Sequence, residues 1–66
     1  MGDYLYEVTF KFLHPGYAVD GYASYTFQVY TTVEARAIVE STRLLGQAYP
    51  GLDPREATDV KVKVYK

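Results

Sequence analysis

A strict two-residue alternation is the feature that most restricts the fold of this chain. From Tyr4 to Leu13, one parity is wholly apolar or aromatic: Tyr4, Tyr6, Val8, Phe10 and Phe12. Successive side chains of a β-strand point to opposite faces, so this pattern predicts a strand with one buried face. A second alternating segment, Tyr22 to Thr31, has the apolar set Ala23, Tyr25, Phe27 and Val29. We therefore predict two long strands, at residues 4–13 and 22–31.

Turn-forming residues separate these two strands. Pro15 followed by Gly16 favours a type II turn, because proline fixes φ and glycine accepts a positive φ. Asp20 followed by Gly21 is a second turn signal. We expect a loop that connects antiparallel neighbours.

Helical spacing replaces the alternation after Thr32. Small and apolar side chains recur every three or four residues, which predicts a helix at about residues 33–48. Its stripe toward the sheet is Ala37, Ile38, Ser41, Leu44, Leu45 and Ala48. Thr31 and Glu34 match a capping box, with Thr32 as an alternative N-cap.

Three further features belong to the helix and the segment after it. Glu40 and Arg43 have the spacing of an ion pair. Gly46 costs about 1 kcal/mol relative to alanine, and it indicates either an early frayed end or close packing over the sheet. Asp53 before Pro54 repeats helix-start chemistry and predicts a single turn.

The third strand is predicted at residues 59–65. Val60, Val62 and Val64 form its inward set, and Asp59, Lys61, Lys63 and Tyr65 its outward set. The helix returns the chain, so strand three runs parallel to strand two, with a right-handed crossover favoured. Beside strand two it would form a parallel pair, whereas beside strand one the sheet is antiparallel throughout.

We favour the second arrangement, because it puts the strand with the most aromatic inward face in the centre and antiparallel sheets tolerate one solvated face. The expected fold is a single α+β domain of residues 1–66 with element order β-β-α-β. Its sheet has strand order 2-1-3, and one helix covers the whole inward face. Nothing in the chain is left to cover the other face. This order of elements is generic and identifies no family.

Composition excludes several classes of site. The chain has 66 residues and no cysteine, so it has no disulfide and no thiolate metal site. Its one histidine cannot build a histidine-rich metal site, and the spacing of Asp53, Glu56 and Asp59 is not that of a calcium loop. We expect no metal and no cofactor. A domain this small needs additional stabilisation, and eight tyrosines point to aromatic burial and self-association.

Charge and hydropathy patterning restrict partners and location. Seven basic residues against eight acidic ones argue against strong binding to nucleic-acid phosphates. No apolar run approaches the roughly 20 residues of a membrane helix, and no signal-peptide pattern is present. We expect a soluble, cytoplasmic protein.

The outward side of the sheet is the main candidate site. We predict a binding or dimer surface there, made of Leu5, Lys11, Tyr22, Tyr30, Lys61, Lys63 and Tyr65. Exposed apolar area marks interaction sites. The alternative is an ordinary solvated face, since tyrosine and threonine have high β-propensity. The edge strands are a second candidate interface.

A second cluster lies in the loop between the first two strands, where His14, Tyr17 and Asp20 place an imidazole near a carboxylate. General acid–base chemistry needs such groups. No nucleophile with an activating base accompanies them, so we expect no enzyme; a catalytic site formed between protomers around His14 is the remaining enzymatic hypothesis.

The sequence therefore predicts a non-catalytic binding or regulatory protein that acts through protein–protein contacts. Its expected partner is a second copy, as a homodimer, or a larger protein. The alternative is a protein that binds single-stranded nucleic acid on the tyrosine and lysine side chains of the sheet.

Overall fold

The computed structural model of the protein describes residues 3–13 and 21–65. Its elements are β1 (Tyr4–Leu13), β2 (Tyr22–Thr31), α1 (Glu34–Ala48), a 3-10 turn (Pro54–Glu56) and β3 (Asp59–Tyr65). The strands form one sheet of order β2-β1-β3, and both pairings are antiparallel. The α+β fold with this strand order and one packed helix confirms the prediction, and the parallel alternative is wrong. Among the described helices, none is long and apolar enough to cross a membrane.

The central strand supplies most of the core. Tyr6, Val8, Phe10 and Phe12 of β1 are buried, and from α1 they meet Ala37 and Leu45. The rings of Phe10 and Phe27 pack edge to face at 6.3 Å, and those of Phe12 and Tyr25 at 5.8 Å. Aromatic burial therefore provides much of the stabilisation that a chain without disulfides needs.

The helix covers only part of its sheet face, because it packs mainly over β2 and β1. Tyr4, Val60 and Val64 lie on that face but remain 39%, 39% and 38% exposed. The prediction that the helix covers the whole inward face is therefore wrong for these three residues. A helix is about 10 Å wide and strands lie about 4.8 Å apart, so one helix spans two strands. Leu52 and Ala57 pack against the core from the segment before β3.

The start of α1 differs from the predicted capping box. Thr31 is the last residue of β2, where it is buried opposite Tyr4. The N-cap position is held by Val33, which has an extended backbone and no side-chain cap. Strand pairing thus takes Thr31 out of reach of the helix terminus, and the Thr32 alternative is wrong as well.

The later helix predictions have mixed outcomes. Arg43 donates to Glu40 at 2.7 Å, which confirms the ion pair. Gly46 is exposed, the helix continues past it to Ala48, and a Cβ added there meets nothing within 4 Å. Both interpretations of this glycine, a frayed end and close packing over the sheet, are therefore wrong.

The predicted single turn before β3 is confirmed. Asp53 is its N-cap, and the Asp53 carboxylate accepts the backbone N–H of Arg55 at 3.0 Å. Pro54 occupies the first position, where a missing N–H costs nothing.

Candidate interaction surface on the outer face of the sheet

The outer face is the side of the sheet opposite α1, and the strand register arranges its side chains in rows. Reading from β2 through β1 to β3, the rows are Tyr30–Leu5–Tyr65, Gln28–Glu7–Lys63, Thr26–Thr9–Lys61, Ser24–Lys11–Asp59 and Tyr22–Leu13. The first and last rows are apolar and aromatic, and the three between them are polar or charged.

The first of these rows is the more exposed apolar feature. Tyr30 is 71% exposed and Tyr65 41%, with half-buried Leu5 between them. At the same end of the sheet, Tyr4 and Val64 are partly exposed on the helix side. We call Tyr4, Leu5, Tyr30, Val64 and Tyr65 the apolar end. Contiguous apolar and tyrosine-rich surface of this kind is typical of interaction sites.

The row at the opposite end is smaller. Leu13 is 55% exposed beside Tyr22, and the ammonium group of Lys11 lies 4.9 Å from the centre of the Tyr22 ring. A cation over an aromatic face is attracted by the ring quadrupole. Lys11 is thereby drawn toward the sheet.

The polar rows between them are bonded within the protein. The hydroxyls of Thr9 and Thr26 lie 3.0 Å apart in a hydrogen bond that joins β1 to β2. The Tyr65 hydroxyl donates to the Glu7 carboxylate at 3.0 Å and joins β3 to β1. These bonds fix the positions of the side chains around them.

Acidic residues offset most of the positive charge on the outer face. Lys63 stands opposite Glu7 in the register, and Lys11 stands opposite Asp59. The Lys63 ammonium group also lies 5.1 Å from the centre of the Tyr65 ring. Lys61 alone of these lysines stands opposite a neutral residue, Thr9. A groove that tracks a phosphate backbone needs uncompensated cations, which this face does not concentrate.

The carboxylates with shifted pKa values lie away from the outer face. The hydrogen bond from Arg43 lowers the pKa of Glu40, and the side-chain and backbone hydrogen bonds of Arg55 lower the pKa of Asp53. Both Asp53 oxygens accept bonds from Arg55. Residues 3–13 and 21–65 contain no cluster of three side chains suited to a metal ion.

All seven residues predicted for the sheet surface lie on the outer face. The structure brings Leu5, Tyr30 and Tyr65 into one row, and it puts Lys11 against Tyr22. Lys61 and Lys63 are exposed on β3 in adjacent rows. The predicted loop residues His14, Tyr17 and Asp20 lie outside the described part of the chain.

Sequence reasoning missed two exposed apolar features on the helix side. One is the part of the sheet face that α1 does not reach, where the alternation assigned Tyr4, Val60 and Val64 to a covered face. The other is an open depression of about 390 Å³ near the start of α1, lined by Val33, Ala35, Arg36, Val39 and Glu40. The signal for the second was present, because Val39 falls outside the predicted helix stripe.

Comparison with known protein families, with curated proteins and with solved structures gives no match.

Proposed function

We propose that the protein is a small non-catalytic module that works by binding proteins through the outer face of its sheet. One observation carries this proposal: the exposed row Tyr30–Leu5–Tyr65, which continues around the end of the sheet to Tyr4 and Val64. Tyrosine supplies a large contact area at low entropic cost and keeps a hydroxyl for hydrogen bonding at a wet interface.

The charge arrangement favours a protein partner over a nucleic acid. Lys11 and Lys63 have carboxylates opposite them, so these lysines would neutralise few phosphates and release few counterions. Binding to a nucleic acid would therefore gain little affinity. The aromatic rings occupy the two ends of the face, whereas a stacking platform for successive bases would need them along its middle.

We also propose that the protein acts in the cytoplasm. Its partner there is a second copy of itself, in a homodimer, or a larger protein. Self-association is supported by size, because a domain of this length buries only about 60% of the surface its unfolded chain exposes. A protein–protein contact would cover part of the remaining apolar area.

Affinity capture with surface variants tests the binding function. Tyr30→Asp puts a charge into the exposed row, whereas Val39→Asp makes the same kind of change on α1, where the side chain is 66% exposed. Immobilised wild type and Val39→Asp should retain the same protein from a host lysate, and Tyr30→Asp should lose it. Equal retention by all three proteins would refute binding through the outer face.

A further inference from the structure

The two edges of the sheet differ in how they are protected against pairing. Natural edge strands carry charges or proline that discourage addition of another strand. β3 carries Asp59, Lys61 and Lys63 along its outward side. β2 has no charged residue and no proline in any of its ten positions. Its outward residues Ser24, Thr26 and Gln28 are small or neutral and exposed.

The two edges also differ in whether each can pair with the same strand of a second copy. In a two-fold antiparallel pair of β3 strands, any register that pairs most of the strand sets a lysine opposite a lysine. Centred on Val62, for example, it places Lys61 opposite Lys63 of the second copy. Like charges directly opposite each other are destabilising. The β3 edge therefore resists its own copy, whereas no register of β2 brings charges together.

We propose that β2 pairs antiparallel with β2 of a second copy, with the two-fold axis at Thr26, to give a continuous six-stranded sheet. This inference rests on the proposed function and names the partner as the same chain. A two-fold axis perpendicular to the sheet keeps both helices on one side and joins the two outer faces on the other.

The register about Thr26 matches side chains on both sides of the sheet. Residues 22–30 of each copy are paired, and Phe27 stands opposite Tyr25 of the second copy on the helix side. On the outer face Tyr30, the most exposed of the large hydrophobic residues described, stands opposite Tyr22 of the second copy. Aromatic cross-strand pairs stabilise antiparallel sheets.

This pairing also joins the two apolar rows of the outer face. The row Tyr30–Leu5–Tyr65 of one copy would continue into the row Tyr22–Leu13 of the other. Each dimer would carry two such long rows, one on either side of the axis. The apolar surface that the monomer divides between its two ends becomes continuous.

Substitution on the axis gives a specific test, because the residue there faces its own copy. Thr26→Lys and Thr26→Glu each set like charges opposite one another, and we expect each variant to weaken association at least about tenfold in sedimentation equilibrium. An equimolar mixture of the two variants should restore association, because opposite charges then meet. A folding defect would not be repaired by mixing.

A matched control uses the other edge. Thr9 is flanked by Thr26 on one side and by Lys61 on the other, so Lys61→Glu changes the charge in the same row at the β3 edge. This variant should associate like wild type. Equal weakening by Lys61→Glu and Thr26→Glu would contradict pairing through β2.

Cross-linking tests the register. The chain has no cysteine, so Thr26→Cys introduces a single thiol. Opposite residues in an antiparallel pair lie about 4.5–5.5 Å apart at Cα, within the roughly 4.4–6.8 Å that a disulfide spans. Mild oxidation should convert Thr26→Cys, but not Lys61→Cys, into a covalent dimer. A monomeric wild type at micromolar concentration, or preferential cross-linking of Lys61→Cys, would overturn the proposal.

The Thr26→Lys variant, used at a concentration where sedimentation shows it monomeric, separates this inference from the proposed function. If it still retains the protein that wild type captures, outer-face binding does not depend on the dimer. A wild type that dimerises through β2 but captures no other protein supports the pairing and leaves self-association as the only binding activity.

Discussion

Ser41 occupies a position where its side chain conflicts with its surroundings. It is fully buried on the side of α1 that faces the sheet, between Ala37 and Leu45 in the helical stripe. Its hydroxyl makes no hydrogen bond to any described residue. A buried hydroxyl without a partner costs about 1–3 kcal/mol. This residue therefore reduces the stability of a domain whose core is small.

Removing that hydroxyl should stabilise the protein. We expect Ser41→Ala to raise the free energy of unfolding by about 1 kcal/mol, from relief of the unpaired group and better helix propensity. Urea denaturation followed by circular dichroism measures the change. Thr42→Ala is the control. The Thr42 hydroxyl donates a hydrogen bond to the Ile38 carbonyl at 2.7 Å, so its removal relieves no unpaired group. Destabilisation by Ser41→Ala would show that the hydroxyl has a partner.

Two glycines should respond oppositely to alanine. Gly46 lies inside α1, and a Cβ there meets nothing, so Gly46→Ala should add about 1 kcal/mol of stability. Gly21 has φ +77°, and Gly21→Ala should cost about 1 kcal/mol because L-residues disfavour that conformation. Thermal melts of the two variants provide the comparison. A loss of stability in Gly46→Ala would mean that a neighbour approaches this position.

At the scale of elements, the uncapped start of α1 offers a clear gain. Val33 is the N-cap, has the extended backbone of a capping residue and is 52% exposed. Val33→Asp should stabilise the protein by about 1 kcal/mol, through a bond to the first helical N–H groups and a favourable interaction with the helix dipole.

Val33→Ala is the control for this change, since alanine caps as poorly as valine. Chemical denaturation of both variants should show a gain only for aspartate. Equal stabilities of the two variants would mean that the introduced carboxylate does not reach the first helical N–H groups.

The narrow cover of the sheet by α1 makes equivalent valines unequal. Val8 of β1 is fully buried, whereas Val60 of β3, on the same face, is 39% exposed. Val8→Ala should therefore cost about 2 kcal/mol, and Val60→Ala less than about 1 kcal/mol. Equilibrium unfolding of the pair tests how far the helix extends across the sheet, and equal losses would place it over β3 as well.

Across the whole molecule, the distribution of charge predicts weak contact with nucleic acid. A labelled single-stranded oligonucleotide of random sequence should show no anisotropy change with the protein at low salt, because most outer-face lysines stand opposite carboxylates. Glu7→Gln removes one of these carboxylates, and as a comparison it leaves seven acidic residues against seven basic ones. Salt-sensitive binding by the wild type would favour the nucleic-acid hypothesis.

The strands followed from local patterns and the sheet order from a comparison of whole strands, whereas the extent of burial followed from neither. Alternation in Tyr4–Leu13 reports which side chains share a face, and that information is contained in neighbouring residues. How far α1 reaches across the face depends on the width of a helix relative to three strands. Whether Thr31 caps the helix likewise depends on competition between strand pairing and capping. The spacing of a capping box does not show which of the two prevails.

For the candidate site as well, local patterns predicted some features, and others depended on the tertiary structure. The outward residues of β1, β2 and β3 were correctly assigned to one face, but their grouping into two apolar rows required the register of both strand pairs. The contrast between the edges was visible in the sequence as the lack of charge in Tyr22–Thr31. The predicted order 2-1-3 already placed this segment at an edge of the sheet, and the structure confirms that position.

The exposure of β3 has a consequence for how the protein opens. Only Val62 of this strand is half-buried, and the other six residues are exposed. β3 is held to β1 by ladder pairing and by side-chain bonds at both ends, from Thr58 to Lys11 and from Tyr65 to Glu7. Detaching it uncovers little apolar surface, and the denaturant dependence of an opening scales with the surface uncovered. Amide exchange in β3 should therefore proceed by local openings that respond weakly to urea, while exchange in the buried part of β1 follows global unfolding.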